Sequence, residues 1–387
     1  MINEFTEVDE SDEGGSDFSL SLEDFADLYV IPGDWSVLTL IDSIDRMINL
    51  DPEFQRRSVW SKTAKSKFIE SLALGVPIPQ ILLAEDSSNP RQYIVLDGKQ
   101  RLLTIKEFIY GAYSEGEPFK LSGLTHLGQL NGLSWEEVQL RHPDIARQIQ
   151  QSFIRTAVIR GWRREDVLYE IFHRLNSGSV RLSPMELRMS LIRGGYIKYV
   201  IAKTSQLQEL QQLLGLKYPD KRMKDVEIAI RFFAFHNRRI EYAGNLKTFL
   251  DDHCNLMNKI GPDGYKDSFF VFEESIRAGL SIFDGKKFAR KYLPKENQFE
   301  SRFNRAIFDV LAESLTSEEV REASLAKPER FIASYKKVCE NTEFIRSVET
   351  TTKTTDATRK RFQIWFDHIQ EEFGVPLKMP NLKDDSN

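Results

Sequence analysis

The sequence has little cysteine. Cys254 and Cys339 are the only two in 387 residues, and they are far apart, with no metal-ligand spacing. A disulfide framework and a cysteine-ligated zinc site are therefore not expected. Such a sequence is typical of a reducing compartment, and we expect a cytoplasmic protein.

Long apolar runs and several familiar motifs are also absent. No run reaches the roughly 18 apolar residues that a membrane-spanning helix needs, and the N-terminus lacks the features of a secretory signal. We therefore expect no membrane partner. There is no Gly-x-x-x-x-Gly-Lys-Ser/Thr run, which excludes a P-loop NTPase. The absence of Gly-x-Ser-x-Gly and His-Glu-x-x-His argues against common hydrolase and zinc-protease classes.

Basic residues are missing from the beginning of the chain. Residues 1–45 contain 13 Asp and Glu, and the first basic residue is Arg46. The chain has 53 basic and 58 acidic residues, so the part after residue 45 has 53 basic against 45 acidic residues. We expect residues 1–18 to form a disordered acidic tail. Such a tail either only aids solubility or binds the basic remainder in competition with a polyanion.

The pattern of apolar residues predicts an α+β protein. Short apolar runs that alternate with helical patterns predict strands at Gln80–Ala84, Tyr93–Leu96 and Phe153–Ile159. Beyond residue 196 helical periodicity dominates. We predict the acidic tail over 1–18, a small mixed-sheet domain over 19–196 and a mostly helical domain over 197–387.

Several helix boundaries follow from the capping residues. Ser61 is the predicted N-cap of a helix that ends at Gly75. Ser183-Pro184-Met185-Glu186 has the sequence of a capping box with proline at the first helical position. Periodicity further predicts helices at Leu40–Ile48, Asp225–Phe235, Phe299–Leu311 and Thr358–Phe373, with Asn49–Trp60 extended.

The strongest local signal lies in residues 93–110, where an apolar strand leads into Asp97-Gly98 and then directly into a helix. The first N–H groups of a helix lack internal partners, and the dipole there is positive, so this end suits a phosphate. Gly98 permits close approach to the backbone. Lys99 and Arg101 can bind phosphate oxygens, and Asp97 can hold a divalent metal or orient a water. Alternatively, Asp97 only caps the helix, and the two cations are solvated.

A second cluster, Pro52–Trp60, lies upstream. Arg56 and Arg57 are adjacent in a segment predicted to be extended, so one of them must face away from an apolar core. It could complete a polar cleft, or both could be surface arginines between Phe54 and Trp60. A third polar segment, Asn176-Ser177-Gly178, is either part of a site or a helix C-terminal turn.

These motifs together resemble the N-terminal-domain family of the GmrSD restriction endonucleases. The pattern is Gln-Arg-x-x-Val-Trp, then Ile-Glu-Ser-Leu-x-Leu-Gly-x-Pro-Ile-Pro, then Asp-Gly-x-Gln-Arg-Leu. In this chain it occupies Gln55–Trp60, Ile69–Pro79 and Asp97–Leu102, and the likeness continues through Phe172–Gly178 and Leu182–Arg188. It covers residues 36–195.

The resemblance implies a ParB/sulfiredoxin-like fold that binds nucleotide phosphates at a strand–loop–helix junction. It assigns catalytic roles to Asp97, Arg101 and Arg56, with Asp97 as the ligand of Mg²⁺. Lys99 stands where the family commonly has Gln, which leaves the preferred nucleotide open. The residues expected to bind the nucleoside triphosphate are Gly98, Lys99, Gln100, Gln55 and Asn176.

The resemblance also implies a function. Family members belong to bacterial anti-phage restriction systems in which NTP hydrolysis regulates or powers cleavage of DNA. One alternative is a nucleotide-switched regulator that binds DNA or protein without hydrolysis, and another is direct endonuclease activity at the same site. DNA is the expected partner, and a nuclease or modification-system subunit or a second copy of the chain are further candidates.

One part of the family pattern is missing. Two-part members carry a C-terminal His-Asn-His-type nuclease, which needs clustered histidines. After residue 200 the histidines are His236, His253 and His368, and they are not clustered in the sequence. We therefore predict that this chain lacks the nuclease module, so that any DNA cleavage would come from the N-terminal site or from a partner.

Overall fold

The fold is taken from a computed structural model of the chain. The residues that it describes are 20–48, 50, 60–87, 89–111, 118–175, 183–192, 194–285, 287–350 and 352–383. These residues form two compact units, which divide between Leu191 and Ile192. We call them the N-terminal unit and the helical unit. The domain limits predicted from the sequence stay predictions, and the acidic tail lies outside the described residues.

The N-terminal unit contains four strands and several helices in its described part. The strands are β1 (Tyr29–Ser36), β2 (Ile81–Glu85), β3 (Tyr93–Asp97) and β4 (Phe153–Arg160). The helices are α1 (Val37–Ser43), α2 (Lys62–Leu74), α3 (Lys99–Tyr110), α4 (Trp135–Arg141), α5 (Pro143–Gln151), α6 (Glu165–Leu175) and α7 (Pro184–Leu191).

The four strands form one mixed sheet in the order β1-β4-β2-β3. β4 runs antiparallel to β1 and parallel to β2, and β2 runs antiparallel to β3. In the last pair Leu82 lies opposite Asp97, so the start of β2 lies beside the end of β3. The predicted α+β class with a small mixed sheet is confirmed. Strand β1 was not predicted, because Pro32 and Gly33 interrupt its pattern; it is an edge strand, where proline is tolerated.

Both faces of the sheet are covered by apolar side chains, because successive residues of a strand point to opposite faces. Ile81, Leu83 and Val95 belong to a buried cluster with residues of α1 to α5. Leu82, Ala84, Ile94 and Leu96 belong to a second cluster with residues of α6 and α7. The sheet is thus the middle layer between two sets of helices.

The predicted capping residues are confirmed where the structure describes them. The Ser61 hydroxyl accepts from the N–H of Ala64, and Gly75 ends α2 in the left-handed conformation. The Ser183 hydroxyl accepts from the N–H of Glu186, and the Glu186 carboxylate accepts from the N–H of Ser183. The strands predicted at Gln80–Ala84, Tyr93–Leu96 and Phe153–Ile159 are β2, β3 and β4 within one residue at each end.

The helix predicted at Leu40–Ile48 is wrong in its bounds. α1 begins earlier, after the Ser36 N-cap, and ends at Ser43. Ile44 and Ile48 instead form a short bridge with each other, and Ile48 also pairs with Tyr93. Both side chains are buried, so their helical spacing reflected burial in a turn beside β3. The extended segment predicted at Asn49–Trp60 lies almost wholly outside the described residues.

The helical unit is dominated by helices, as predicted. Its helices are α8 (Gly195–Gln206), α9 (Gln208–Leu213), α10 (Lys224–Asn237), α11 (Leu246–Ile260), α12 (Lys266–Ile282), α13 (Arg305–Ser314), α14 (Glu318–Ala326), α15 (Pro328–Val338), α16 (Thr342–Glu349) and α17 (Thr355–Phe373). The helix predicted at Phe299–Leu311 is half wrong. Gln298–Phe303 is strand β6, which pairs with β5 (Arg290–Leu293), and α13 begins only at Arg305 after the Asn304 cap. No helix among the described residues is long and apolar enough to cross a membrane.

A row of buried charges connects α10 and α13 in the helical unit. The Arg305 guanidinium lies 3.3 Å from the Glu227 carboxylate. Asp309 is completely buried and accepts two hydrogen bonds from Arg231, at 2.8 and 2.6 Å. Arg361 of α17 also approaches Asp309, at 3.4 Å. One turn further along α13, Glu313 binds His236 and Arg238. We call this set the charge ladder.

Candidate functional site

The candidate site is the junction between β3 and α3. Asp97 is the last residue of β3, and Gly98 is the N-cap of α3 with a left-handed backbone (φ 93°). A Cβ at Gly98 would lie 2.9 Å from both the Ile81 side chain and the Arg101 guanidinium. Glycine is therefore required here by the backbone conformation and by contact with β2, whatever binds at the junction.

The N-cap residue of α3 supplies no side-chain cap. Gly98 has no side chain, and the Asp97 carboxylate binds Arg101 among the described residues. Asp97 thus does not act as the helix cap, which was one interpretation of the sequence. The early N–H groups of a helix need acceptors, and an anion is one that also suits the dipole.

Arg101 is held tightly at the junction. Its side chain is largely buried, and the guanidinium donates to the carbonyl of Gln80 at 2.9 Å and to the Asp97 carboxylate at 3.3 Å. These bonds use two of the five N–H donors of an arginine. The antiparallel register of β2 and β3 makes the first bond possible, since it brings the Gln80 carbonyl beside the start of α3. Arg101 therefore fixes both the Asp97 carboxylate and the end of β2.

Lys99 and Gln100 occupy the first turn as predicted, but Lys99 is not a solvated surface side chain. It is only 5 % exposed. The Gln100 side-chain carbonyl accepts from the backbone N–H of Trp60 at 3.3 Å. The end of the upstream Pro52–Trp60 cluster therefore lies beside the first turn of α3. The structure brings Asp97, Gly98, Lys99, Gln100 and Arg101 together.

Three predicted site residues lie outside the described residues: Gln55, Arg56 and Asn176. In the sequence, Arg56 precedes Trp60, whose N–H group contacts Gln100, by four residues.

Two buried acids, Glu70 of α2 and Glu107 of α3, were not predicted. Glu107 of α3 and Lys65 of α2 form an ion pair with both side chains buried. Burial raises the pKa of Glu107, against the opposing effect of Lys65. Burial would also raise the pKa of Glu70, but hydrogen bonds from the N–H groups of residues 125–127 outweigh it and lower that pKa. The signal that could have found them is a charged residue within the apolar face of a helix.

Among the residues that the structure describes, no three His, Cys, Asp or Glu side chains come together as a metal site. Asp97 is thus a single carboxylate at the junction, with its side chain 31 % exposed. One carboxylate fits a Mg²⁺ ion whose other ligands are phosphate oxygens and waters, and it does not fit a metal held by protein alone.

Comparison with known protein families gives a match over part of the chain. Residues 37–193 match the family described as "GmrSD restriction endonuclease, N-terminal domain". No curated protein matches the chain, and no solved structure matches it either, so the expected ParB/sulfiredoxin likeness stays a prediction. The matched range contains the whole β3–α3 junction and the sheet partners of β3. Residues 37–193 of the chain therefore resemble the N-terminal domain of the GmrSD restriction endonucleases, as the sequence motifs predicted.

Proposed function

We propose that the protein binds a nucleoside triphosphate at the β3–α3 junction and hydrolyses it, as a component of a bacterial restriction-type anti-phage system that acts on DNA. The observation that carries this proposal is the first turn of α3. Its N-cap residue, Gly98, has no side chain, and the turn lies in sequence between the Asp97 carboxylate and the Arg101 guanidinium, which are hydrogen-bonded to each other. The similarity of residues 37–193 to the GmrSD N-terminal domain supports the restriction-type role.

The phosphates would bind to the N–H groups of the first turn, where the helix dipole favours negative charge. Lys99 and the remaining N–H groups of Arg101 add positive charge next to them. Arg56 would approach from the segment that ends at Trp60. Positioned donors and cations of this kind stabilise the charge that develops during phosphoryl transfer.

Asp97 would hold Mg²⁺ together with the phosphates, and this ion would neutralise phosphate charge and orient the reacting group. The contribution of the protein is the orientation of the carboxylate. Arg101 supplies it, because the guanidinium is itself fixed by the Gln80 carbonyl.

The proposal is tested by measuring phosphate release from each of the four ribonucleoside triphosphates with Mg²⁺, with and without DNA. We expect Asp97→Ala to lower kcat by about 100-fold or more, as the loss of a positioned charged group does. Asp45→Ala is the matched control. Asp45 forms an ion pair with Lys106 on α3, away from the junction, and its loss should leave kcat unchanged. An Asp97→Ala protein with the parent's turnover would contradict the assignment.

A second candidate function is a nucleotide-switched regulator without hydrolysis. It is favoured by the hydrogen bonding of Arg101, which is largely buried and already donates to two acceptors. Fewer of its N–H groups can therefore stabilise the transition state of hydrolysis. Calorimetric titration distinguishes the two functions. Stoichiometric nucleotide binding that needs Asp97, together with no phosphate release, would favour the switch.

A further inference from the structure

The end of the helical unit crosses two other segments of the same unit. Tyr242 donates its N–H to the carbonyl of Asn381 at 2.9 Å and accepts from the N–H of Lys383 at 3.0 Å. Tyr242 and Leu382 thus form a parallel bridge. We call residues 378–383 the strap.

Side chains fix the strap on both sides. Arg238 donates to the carbonyls of Lys378 at 2.7 Å and Met379 at 3.1 Å. The same arginine binds the buried carboxylate of Glu313 in the charge ladder. On the other side, Arg359 donates to the carbonyl of Lys383 at 2.6 Å, and the Tyr242 hydroxyl binds the carbonyl of Lys353. The segments 238–242, 353–360 and 378–383 therefore form one continuous surface.

This surface carries a concentration of positive charge. Arg239, Lys378 and Lys383 are exposed, and Lys353 is half-buried. Among the described residues, none of these four cations lies within ion-pair distance of a carboxylate. In the three segments the acidic residues are Asp356, which binds Lys360 at 3.0 Å, and the exposed Glu241. Asp384 and Asp385 follow the strap and lie outside the described residues.

The surface has the charge that a nucleic-acid backbone needs. The strap has six residues, of which Leu382 pairs with Tyr242, and six residues of extended chain span roughly 17 Å, or about five base-pair steps of a duplex. Three of the four cations, Arg239, Lys378 and Lys383, are exposed, which suits contact with an extended polyanion.

We propose that the strap surface binds the phosphate backbone of duplex DNA without reading its sequence. The inference extends the part of the proposed function that concerns DNA. It rests on the proposed function only for the identity of the polyanion. Nucleotide binding at the β3–α3 junction plays no part in it. The helical unit then supplies affinity for DNA, while the N-terminal unit supplies the chemistry.

The test is the affinity for a fluorescent duplex of about 30 base pairs, measured by anisotropy over a range of salt concentrations and without nucleotide. The variant changes Arg239, Lys353, Lys378 and Lys383 to Gln. Because about four phosphate contacts are lost, we expect Kd to rise about 10-fold or more near 0.1 M salt. The slope of log Kd against the logarithm of the salt concentration should fall by about 3 to 4. The matched control changes four other exposed lysines of the helical unit to Gln: Lys203, Lys259, Lys295 and Lys327. It should keep Kd within about 3-fold.

Three outcomes would overturn the inference. Unchanged affinity in the strap variant is the first. Equal losses in the strap and control variants are the second, because they indicate that net charge alone matters. The third is competition by polyglutamate as strong as that by DNA at equal charge, which assigns the surface to an acidic polypeptide. The Asp97→Ala protein should bind the duplex as the parent does. The outcome of this test therefore does not depend on whether the nucleotide proposal is correct. Circular dichroism of each variant verifies that it is folded.

Discussion

The two units differ in the groups that their buried charged side chains bind. In the N-terminal unit Lys65 and Glu107 pair with each other, but two further buried charges bind backbone groups: Glu70 binds three N–H groups of residues 125–127, and Arg101 binds the Gln80 carbonyl. In the helical unit the members of the charge ladder bind one another along α10 and α13. Charges of the first kind fix loops around a site. Those of the second kind fix the register of helices, since each buried ion must meet its counter-ion.

This difference explains where each unit can bind ligands. At the β3–α3 junction the N-cap residue Gly98 has no side chain to bind the first N–H groups of the helix, and the nearby charged side chains hold the surrounding chain in place. The charge ladder, in contrast, is closed to ligands. Its outermost member, Arg238, extends the ladder to the surface by binding the strap carbonyls.

The largest expected effect is in the charge ladder. Asp309→Ala would leave Arg231 and Arg361 facing each other without their shared carboxylate, which should lower the free energy of unfolding by about 3 to 5 kcal/mol. Denaturant unfolding measures it. Asp356→Ala breaks the exposed pair with Lys360 and should cost less than about 1 kcal/mol. Equal costs for the two variants would show that the ladder does not hold the helices.

A smaller effect is expected for the loop-fixing charge of the N-terminal unit. Glu70→Ala leaves three N–H groups without their acceptor and should cost about 2 to 3 kcal/mol. Glu70→Gln keeps one acceptor oxygen and should cost less. Hydrogen exchange at residues 125–127 should accelerate in Glu70→Ala. If the exchange rates stay at the parent's values, the carboxylate does not fix this loop.

The two units should also respond to pH in different ranges. Burial lowers the pKa of His253 to about 3, while its Nε2 atom lies 2.8 Å from the Tyr196 hydroxyl. An unfolded histidine has a pKa near 6.5, so this contribution to stability is complete above about pH 6.5 and is lost as the pH falls towards 3. By pH 5 the loss is about 2 kcal/mol. The lowered pKa of Glu70 acts in the same direction but only below about pH 4.5, where an unfolded glutamate takes up its proton.

The free energy of unfolding of the parent and of His253→Gln, measured between pH 7 and pH 5, tests the contribution of His253. The parent should lose stability over that range, and the variant should lose about 2 kcal/mol less. Parallel pH profiles for the two proteins would contradict the assignment to His253.

The smallest expected effect concerns the acidic tail and the strap surface, which have opposite charges. Deleting residues 1–18 should tighten DNA binding by a few-fold at low salt and have no effect at high salt, because the competition is electrostatic. Anisotropy with the same duplex measures it. An unchanged affinity at low salt would show that the tail does not compete with DNA.

The sequence predicted the β3–α3 junction and its neighbours well, since the signals there are local. A strand followed directly by Asp97-Gly98 and an apolar helical stripe needs only a few consecutive residues to be recognised. The sequence missed β1, because Pro32 and Gly33 are tolerated only where one edge of a strand has no partner. It also gave Phe299–Leu311 as one helix, because the apolar residues of β6 and α13 by chance continue a single spacing.

Local sequence sets the helix ends and the residues of the motif, because a cap such as Ser61 or Ser183 bonds only three residues away. The partners of the motif residues depend on the tertiary structure. Arg101 bonds a carbonyl 21 residues away, and Gln100 bonds an N–H group 40 residues away. Such contacts depend on the register of β2 with β3, and that register is set by packing both faces of the sheet at once, which no short segment specifies.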